Sequence, residues 1–208
     1  MDRIEKNISK VISVIFHPLL MPTYTLLIIF NSDTHYSYMP FEAQKILYLL
    51  VFFSTFLLPV STIPFLINLK LITGLGLDKS KERIIPLAIT AVCYLFSYYL
   101  LYRLPVSTLA FIRILIFASF VLIIVDLVIT IKWKISAHLT GIGGLTGSLL
   151  FYAMYLNADF SLLIPLIILL AGLIGYSRLN LQAHTPSQIY AGYLVGIFGM
   201  FMIMLIAF

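Results

Sequence analysis

The stretch "SRLNLQAHTPSQ", residues 177–188, places Arg178 and His184 six positions apart in a chain that is otherwise strongly apolar. Two more polar clusters stand upstream. "DKSKERIIP" (78–86) carries Lys79, Lys81 and Arg83, and "KISAH" (134–138) carries Lys134, Ser136 and His138. Together they offer two imidazoles and several fixed cations. A neutral imidazole is a competent nucleophile near pH 7, and a second, protonated one can give up a proton at the same pH. A guanidinium fork matches two oxygens of a phosphate, and clustered cations stabilise charge that develops on transferring oxygens. The anion these side chains suit best is a phosphate.

Each cluster also carries a helix-start signal: Ser80 and Ser136 as N-caps, and Thr185 followed by Pro186 at the first helical position. Three helix N-termini opening toward one place would add free backbone N–H groups and about half a positive charge each. Lys79, Arg83, Lys134, His138, Arg178 and His184 would then surround an anion site. Thr185 and Gln188 have the T-x-x-Q spacing of a capping box, which gives Gln188 the task of reaching back to the Thr185 backbone.

The elements that must hold these groups are membrane helices. Of 208 residues, 62% are hydrophobic and only 10% charged, far from the range of soluble domains. The apolar runs are long enough to cross a bilayer and lack the alternation of barrel strands. They predict an all-α polytopic bundle of six to seven transmembrane helices in a single integral membrane domain, at about 11–30, 43–69, 83–102, 106–131, 136–156, 161–176 and 186–207. The first run is too long for a signal-peptide apolar region and lacks a small-residue cleavage site, so it is expected to be retained. Pro18 and Pro22 should kink it. The sixth helix is short and expected to end at Gly172 and Gly175. Cys93, the single cysteine, excludes an intramolecular disulfide and a cysteine metal site. A net charge of +5 is modest, so nucleic acid is not an expected partner, while anionic head groups are.

Seven crossings put the N-terminus and the loops near 70–82, 132–135 and 177–185 on one side. Ten of the thirteen Lys and Arg residues fall there, and three (Lys45, Arg103 and Arg113) toward the other. The positive-inside bias therefore places the polar clusters on the cytoplasmic face, at a plasma or inner membrane. Some polar positions have structural readings. Gly143 with Gly147, and Gly192 with Gly196, are small pairs that let helices approach closely. His17 before Pro18 serves local hydrogen bonding and kinking. Lys132, Trp133 and Lys134 are interfacial anchors, and Asp126, inside an apolar helix, calls for a partner cation.

The three clusters resemble the tripartite signature of the type 2 phosphatidic acid phosphatase superfamily: Lys and Arg before a Pro, then P-S-G-H, then S-R-x5-H-x3-D. Ser177, Arg178 and His184 match the third motif at its own spacing. "ISAH" keeps Ser136 and His138 of the second, with Ile135 and Ala137 at the positions of Pro and Gly. Lys79, Arg83 and Pro86 follow the first more loosely, and Lys81 could equally be its Lys. The likeness covers roughly 78–208. It implies a lipid phosphatase working without metal or cofactor, on a phosphorylated lipid drawn from the bilayer. His184 would be the nucleophile that becomes phosphorylated and His138 the acid that protonates the leaving oxygen. Lys79, Arg83, Ser136 and Arg178 would bind the phosphate. The family's last Asp orients the nucleophilic histidine, and here that position is Gln188. A non-catalytic binder or transporter of a phosphorylated lipid, or a lipid phosphotransferase, would use the same residues. The lipid and the oligomeric state are left open.

Overall fold

The structure is a computed structural model and describes residues 3–74, 80–105 and 109–208. Among these it is helical with no strand, and seven helical stretches are long and apolar enough to cross a membrane. The protein is an integral membrane protein. Its helices are α1 (Arg3–Ile15), α2 (Met21–Phe30), α3 (Phe41–Phe52), α4 (Leu58–Asn68), α5 (Ser80–Arg103), α6 (Ala110–Lys132), α7 (Ala137–Leu156), α8 (Leu163–Asn180) and α9 (Pro186–Ala207).

The chain forms two compact units, one made of residues up to Thr25 together with Ile135–Phe208, the other of Leu26–Lys134. In the second unit, α3 passes into α4 through a π-helical turn, Phe53–Leu57. Pro59 comes two residues later and has no N–H for an α-helical bond, a break in the ladder that a wider turn accommodates. Helices α5 and α6 pack together. Arg113 of α6 caps the end of α5, donating from Nε to the Leu101 carbonyl at 3.0 Å and from Nη2 to the Leu104 carbonyl at 2.6 Å. That accounts for one of the three cations outside the basic side as a helix-end cap.

The first unit is built on the α7/α9 pair. Its glycines do what their four-residue spacing predicts. A Cβ on Gly143 would come within 2.5 Å of the Tyr193 carbonyl and one on Gly192 within 2.7 Å of the Ser136 carbonyl, while Gly147 and Gly196 face the Ile197 and Thr140 carbonyls still more closely. The two backbones touch where only hydrogen fits.

Two boundaries differ from those the sequence predicts, and both matter for the polar clusters. The first span begins at Arg3, because Arg3–Ile15 forms an amphipathic helix whose polar residues hide its start from a hydropathy count. The break comes at His17, which caps a 3-10 turn over Pro18–Leu20 by accepting the Leu19 N–H at Nδ1, 3.3 Å; Pro22 lies in the first turn of α2, where proline is tolerated. The sixth predicted helix does not stop at Gly172 or Gly175 but continues to Asn180, so Ser177 and Arg178 occupy its last turn. A Cβ on Gly172 meets nothing within 4 Å, and Gly175 packs against Ile189. Both glycines are helix-interior positions and not stop signals.

Candidate functional site

The spacing between Arg178 and His184 has a structural cause. Helix α8 ends in a Schellman arrangement: the Gln182 N–H bonds the Leu179 carbonyl at 2.8 Å and the Ala183 N–H bonds the Arg178 carbonyl at 3.1 Å. The left-handed residue this turn needs is Gln182, at φ 52°. The chain reverses there, His184 follows, and Thr185 opens α9 with extended backbone and Pro186 behind it. Arg178 on the last turn of one helix and His184 just before the first turn of the next are thus joined by one tight reversal.

Gln188, in the first turn of α9, serves two donors with one atom. Its Oε1 lies 3.2 Å from the Thr185 backbone nitrogen, as the capping-box spacing predicts, and 3.1 Å from Nδ1 of His184. A backbone N–H can only donate, so the shared atom must be the amide oxygen, not the nitrogen. That oxygen can only accept, so the proton of the His184 ring sits on Nδ1. In the neutral ring Nε2 then carries the lone pair. The cap fixes the amide, and the amide fixes the tautomer. His184 itself is buried, with 8% of its surface exposed.

The N-termini of α7 and α9 meet. The Ser136 N–H donates to the Gln188 carbonyl at 3.4 Å, and the Ser136 carbonyl receives the Leu139 and Thr140 N–H groups at 3.0 and 2.9 Å. Ser136 stands at the N-cap of α7 as its sequence predicts, yet its hydroxyl does not cap the helix. The Oγ is buried without a hydrogen-bond partner. Among the described residues four buried side-chain atoms are in that state, and three of them are Ser136 Oγ, Arg178 Nε and Asn180 Oδ1. Buried polar atoms are rarely left so, and each costs about 1–3 kcal/mol. Their gathering on residues of two of the sequence clusters is what a polar ligand would relieve.

His138 lies in the first turn of α7. Its Nε2 is 3.1 Å from the Ser13 carbonyl, to which it donates, and its ring meets that of His17 edge-on with centroids 5.7 Å apart. His138 is within electrostatic reach of Arg178, His17 and His184. Arg178 donates from Nη1 to the Ser13 hydroxyl at 3.2 Å, and Asn180 from Nδ2 to the Ser9 hydroxyl at 2.8 Å. The first unit therefore brings together His138, Ser136, Arg178, His184 and Gln188, and adds Ser9, Ser13, His17 and Asn180. Sequence reasoning passed over α1. The available signal was the pair of serines four apart, which share one helix face.

Arg83 lies in the first turns of α5, in the second unit, and is half-buried. Lys79 lies outside the described residues. The side chain of Ser80, and with it the expected cap of α5, also lies outside the described residues.

Residues 130–208 match the sequence profile of the PAP2 superfamily. The matched region takes in the second and third clusters and the α7–α9 helices, and points to membrane-bound phosphatase-type chemistry. No curated protein and no solved structure matches the chain.

Proposed function

We propose that the protein is a membrane phosphatase that removes phosphate from a lipid phosphate or pyrophosphate, with the PAP2-like region as its catalytic core. The observation that carries this reading is the Gln188 oxygen shared by Thr185 N–H and His184 Nδ1, because it presents Nε2 of His184 as a nucleophile. Nε2 attacks phosphorus, the P–N bond forms as the P–O bond to the lipid breaks, and the departing oxygen takes a proton from His138. Water then attacks the phosphohistidine and gives a proton back to His138 as the P–N bond breaks, so phosphate leaves, His184 returns to the neutral imidazole and His138 to the imidazolium. Since Nε2 of His138 donates to the Ser13 carbonyl, the proton delivered is the one on Nδ1 of its imidazolium. Arg178 and Ser136 hold the phosphoryl oxygens, and the helix starts of α7 and α9 add their positive ends. The motif likeness alone speaks for Lys79 and Arg83 as phosphate ligands, and neither takes part in these steps.

The position of these groups along the helices supports a lipid substrate. His138 and Arg178 stand in the end turns of membrane-capable spans, and His184 in the short reversal between two of them. A phosphate bound there sits at the edge of the apolar layer, and the rest of its molecule is best matched by acyl or isoprenoid chains.

A second reading has one observation in its favour. Gln188 is neutral, and so lacks the negative charge that stabilises an imidazolium in a His–carboxylate pair. On that reading the protein binds or moves a phosphorylated lipid without cleaving it. Purified protein in nanodiscs, offered a panel of lipid phosphates, separates the two. The hydrolase releases phosphate and loses that activity in His184→Ala; tight binding with no release by the unaltered protein establishes the binder instead.

A further inference from the structure

The proposed chemistry uses groups from residues 136–188, yet two of them are held by a helix far away in sequence. Helix α1 is amphipathic: Ile4, Ile8, Val11 and Val14 are exposed, while Ser9 and Ser13 are buried at 2% and 7%. A hydroxyl inside a helix ordinarily bonds a carbonyl three or four residues back. Thr25, Thr55, Thr90, Ser119, Thr146 and Ser177 all do so here. Ser9 and Ser13 do not. Their oxygens accept hydrogen bonds from Asn180 and Arg178 of α8. Ser13 goes further, since its carbonyl, in the last turn of α1 where helix carbonyls begin to lack partners, also accepts from Nε2 of His138.

We propose that Ser13 is a positioning residue of the phosphate site, one that sets the orientation of both Arg178 and His138. A guanidinium recognises two phosphate oxygens best through the edge formed by Nε and Nη2. Ser13 takes the opposite corner, Nη1, and the edge it leaves includes the buried Nε that has no protein acceptor. By taking Nε2–H of His138, the Ser13 carbonyl leaves Nδ1 as the nitrogen that exchanges protons with the substrate. One residue outside the PAP2-like region thus aims both the binding cation and the acid, and α1 becomes part of the working site.

This inference rests on the phosphatase reading, so its test needs a readout that does not depend on turnover. The full-length protein and its Ser13→Ala and Ser13→Thr variants are compared in nanodiscs, by kinetics on phosphatidic acid and by the rise in unfolding temperature with added inorganic phosphate. Ser13→Ala should raise KM about fivefold to tenfold, the loss of one modest hydrogen bond, with a smaller change in kcat. It should shift the phosphate titration by a similar factor, and lower the unfolding temperature without phosphate by no more than the loss of one hydrogen bond accounts for. Ser13→Thr, which keeps the hydroxyl, should restore both. An unshifted titration in Ser13→Ala, or a loss of activity matched by a loss of phosphate-free stability that Thr does not repair, overturns the proposal. If the unaltered protein binds phosphate without turnover, the hydrolase reading fails and the titration alone decides the role of Ser13; if it does neither, both fail.

Discussion

Oε1 of Gln188 is 3.1 Å from Nδ1 of His184 and 3.2 Å from the Thr185 nitrogen, so one oxygen both closes a helix cap and selects a histidine tautomer. The two tasks are compatible because both donors demand an oxygen. They also make Gln188 unlike an ordinary cap residue, since replacing it disturbs helix and imidazole together.

Substitutions at 188 should therefore divide by what they keep. Gln188→Glu retains the reach and both acceptor bonds, and adds a charge that stabilises the imidazolium and suits a helix N-terminus. Phosphate release should rise by at least about tenfold, a fraction of the roughly four orders of magnitude that neutralising the carboxylate costs a serine triad. Gln188→Leu keeps neither bond, and should lower release by about a hundredfold or more while costing about 1 kcal/mol for the lost cap. Single-turnover phosphate release and thermal unfolding of the same preparations check both. Equal rates in the Glu variant and the unaltered protein would show that charge at 188 is irrelevant to the rate.

Ser136 offers a case in which stability and activity should move apart. Its Oγ is buried without a partner and does not cap α7. Removing it in Ser136→Ala relieves a desolvated hydroxyl, so the unfolding temperature should hold or rise. If that hydroxyl awaits a phosphoryl oxygen, KM for a lipid phosphate should increase about fivefold to tenfold. A variant with unaltered kinetics would leave Ser136 a packing residue.

The extent to which all this was legible in the sequence follows from what each signal measures. Apolar length marks a span whatever surrounds it, so seven helices were readable, as was the glycine seam of α7 and α9. Motif spacing located Arg178 and His184, because a Schellman reversal followed by a capped helix consumes a fixed number of residues. The end of α8 was misplaced because a glycine marks a stop only where the backbone turns; Gly175 packs against Ile189 and Gly172 faces open space, and the helix runs through both. Ser9 and Ser13 stayed hidden for another reason. Their spacing marks a shared face, but their partners are more than 160 residues away, and the spacing alone does not say whether a serine bonds its own helix or reaches across.

Gln182 carries a backbone penalty that a single change should remove. At φ 52° it occupies the left-handed region, which costs a side-chain-bearing residue about 1–2 kcal/mol and glycine little. Gln182→Gly should stabilise the protein by about 1 kcal/mol, less what the freer unfolded chain takes back. Because the turn geometry is kept, phosphate release should stay within about twofold. Gln182→Val should do the reverse, loosening the reversal between Arg178 and His184. Denaturation midpoints and initial rates for the pair read this directly.

The ten-to-three charge distribution gives a prediction about sidedness. Ser187 is exposed at the start of α9, and the only native cysteine, Cys93, is buried. In a Cys93→Ala background, Ser187→Cys should resist a membrane-impermeant maleimide in intact cells and react once they are permeabilised. Labelling from outside would place the phosphate site on the extracytoplasmic face, against the positive-inside bias.

The α7/α9 seam should control the site from a distance. A methyl on Gly196 has no room: it would run into the Thr140 carbonyl and lie 2.8 Å from the Gly144 nitrogen, all backbone that cannot swing aside. Gly196→Ala must push the helices apart, at a cost of about 1–3 kcal/mol for overpacking. The same separation strains the Ser136 N–H bond to the Gln188 carbonyl, which at 3.4 Å has little to spare, and through it the residue that orients His184. Phosphate release should fall further than stability alone explains, measured at a temperature where the variant remains folded. Gly172→Ala is the matched control, since a Cβ there meets nothing within 4 Å, and it should leave phosphate release as it was and stability the same or up to about 1 kcal/mol higher. Identical behaviour of the two variants would show that the seam does not transmit to the histidine.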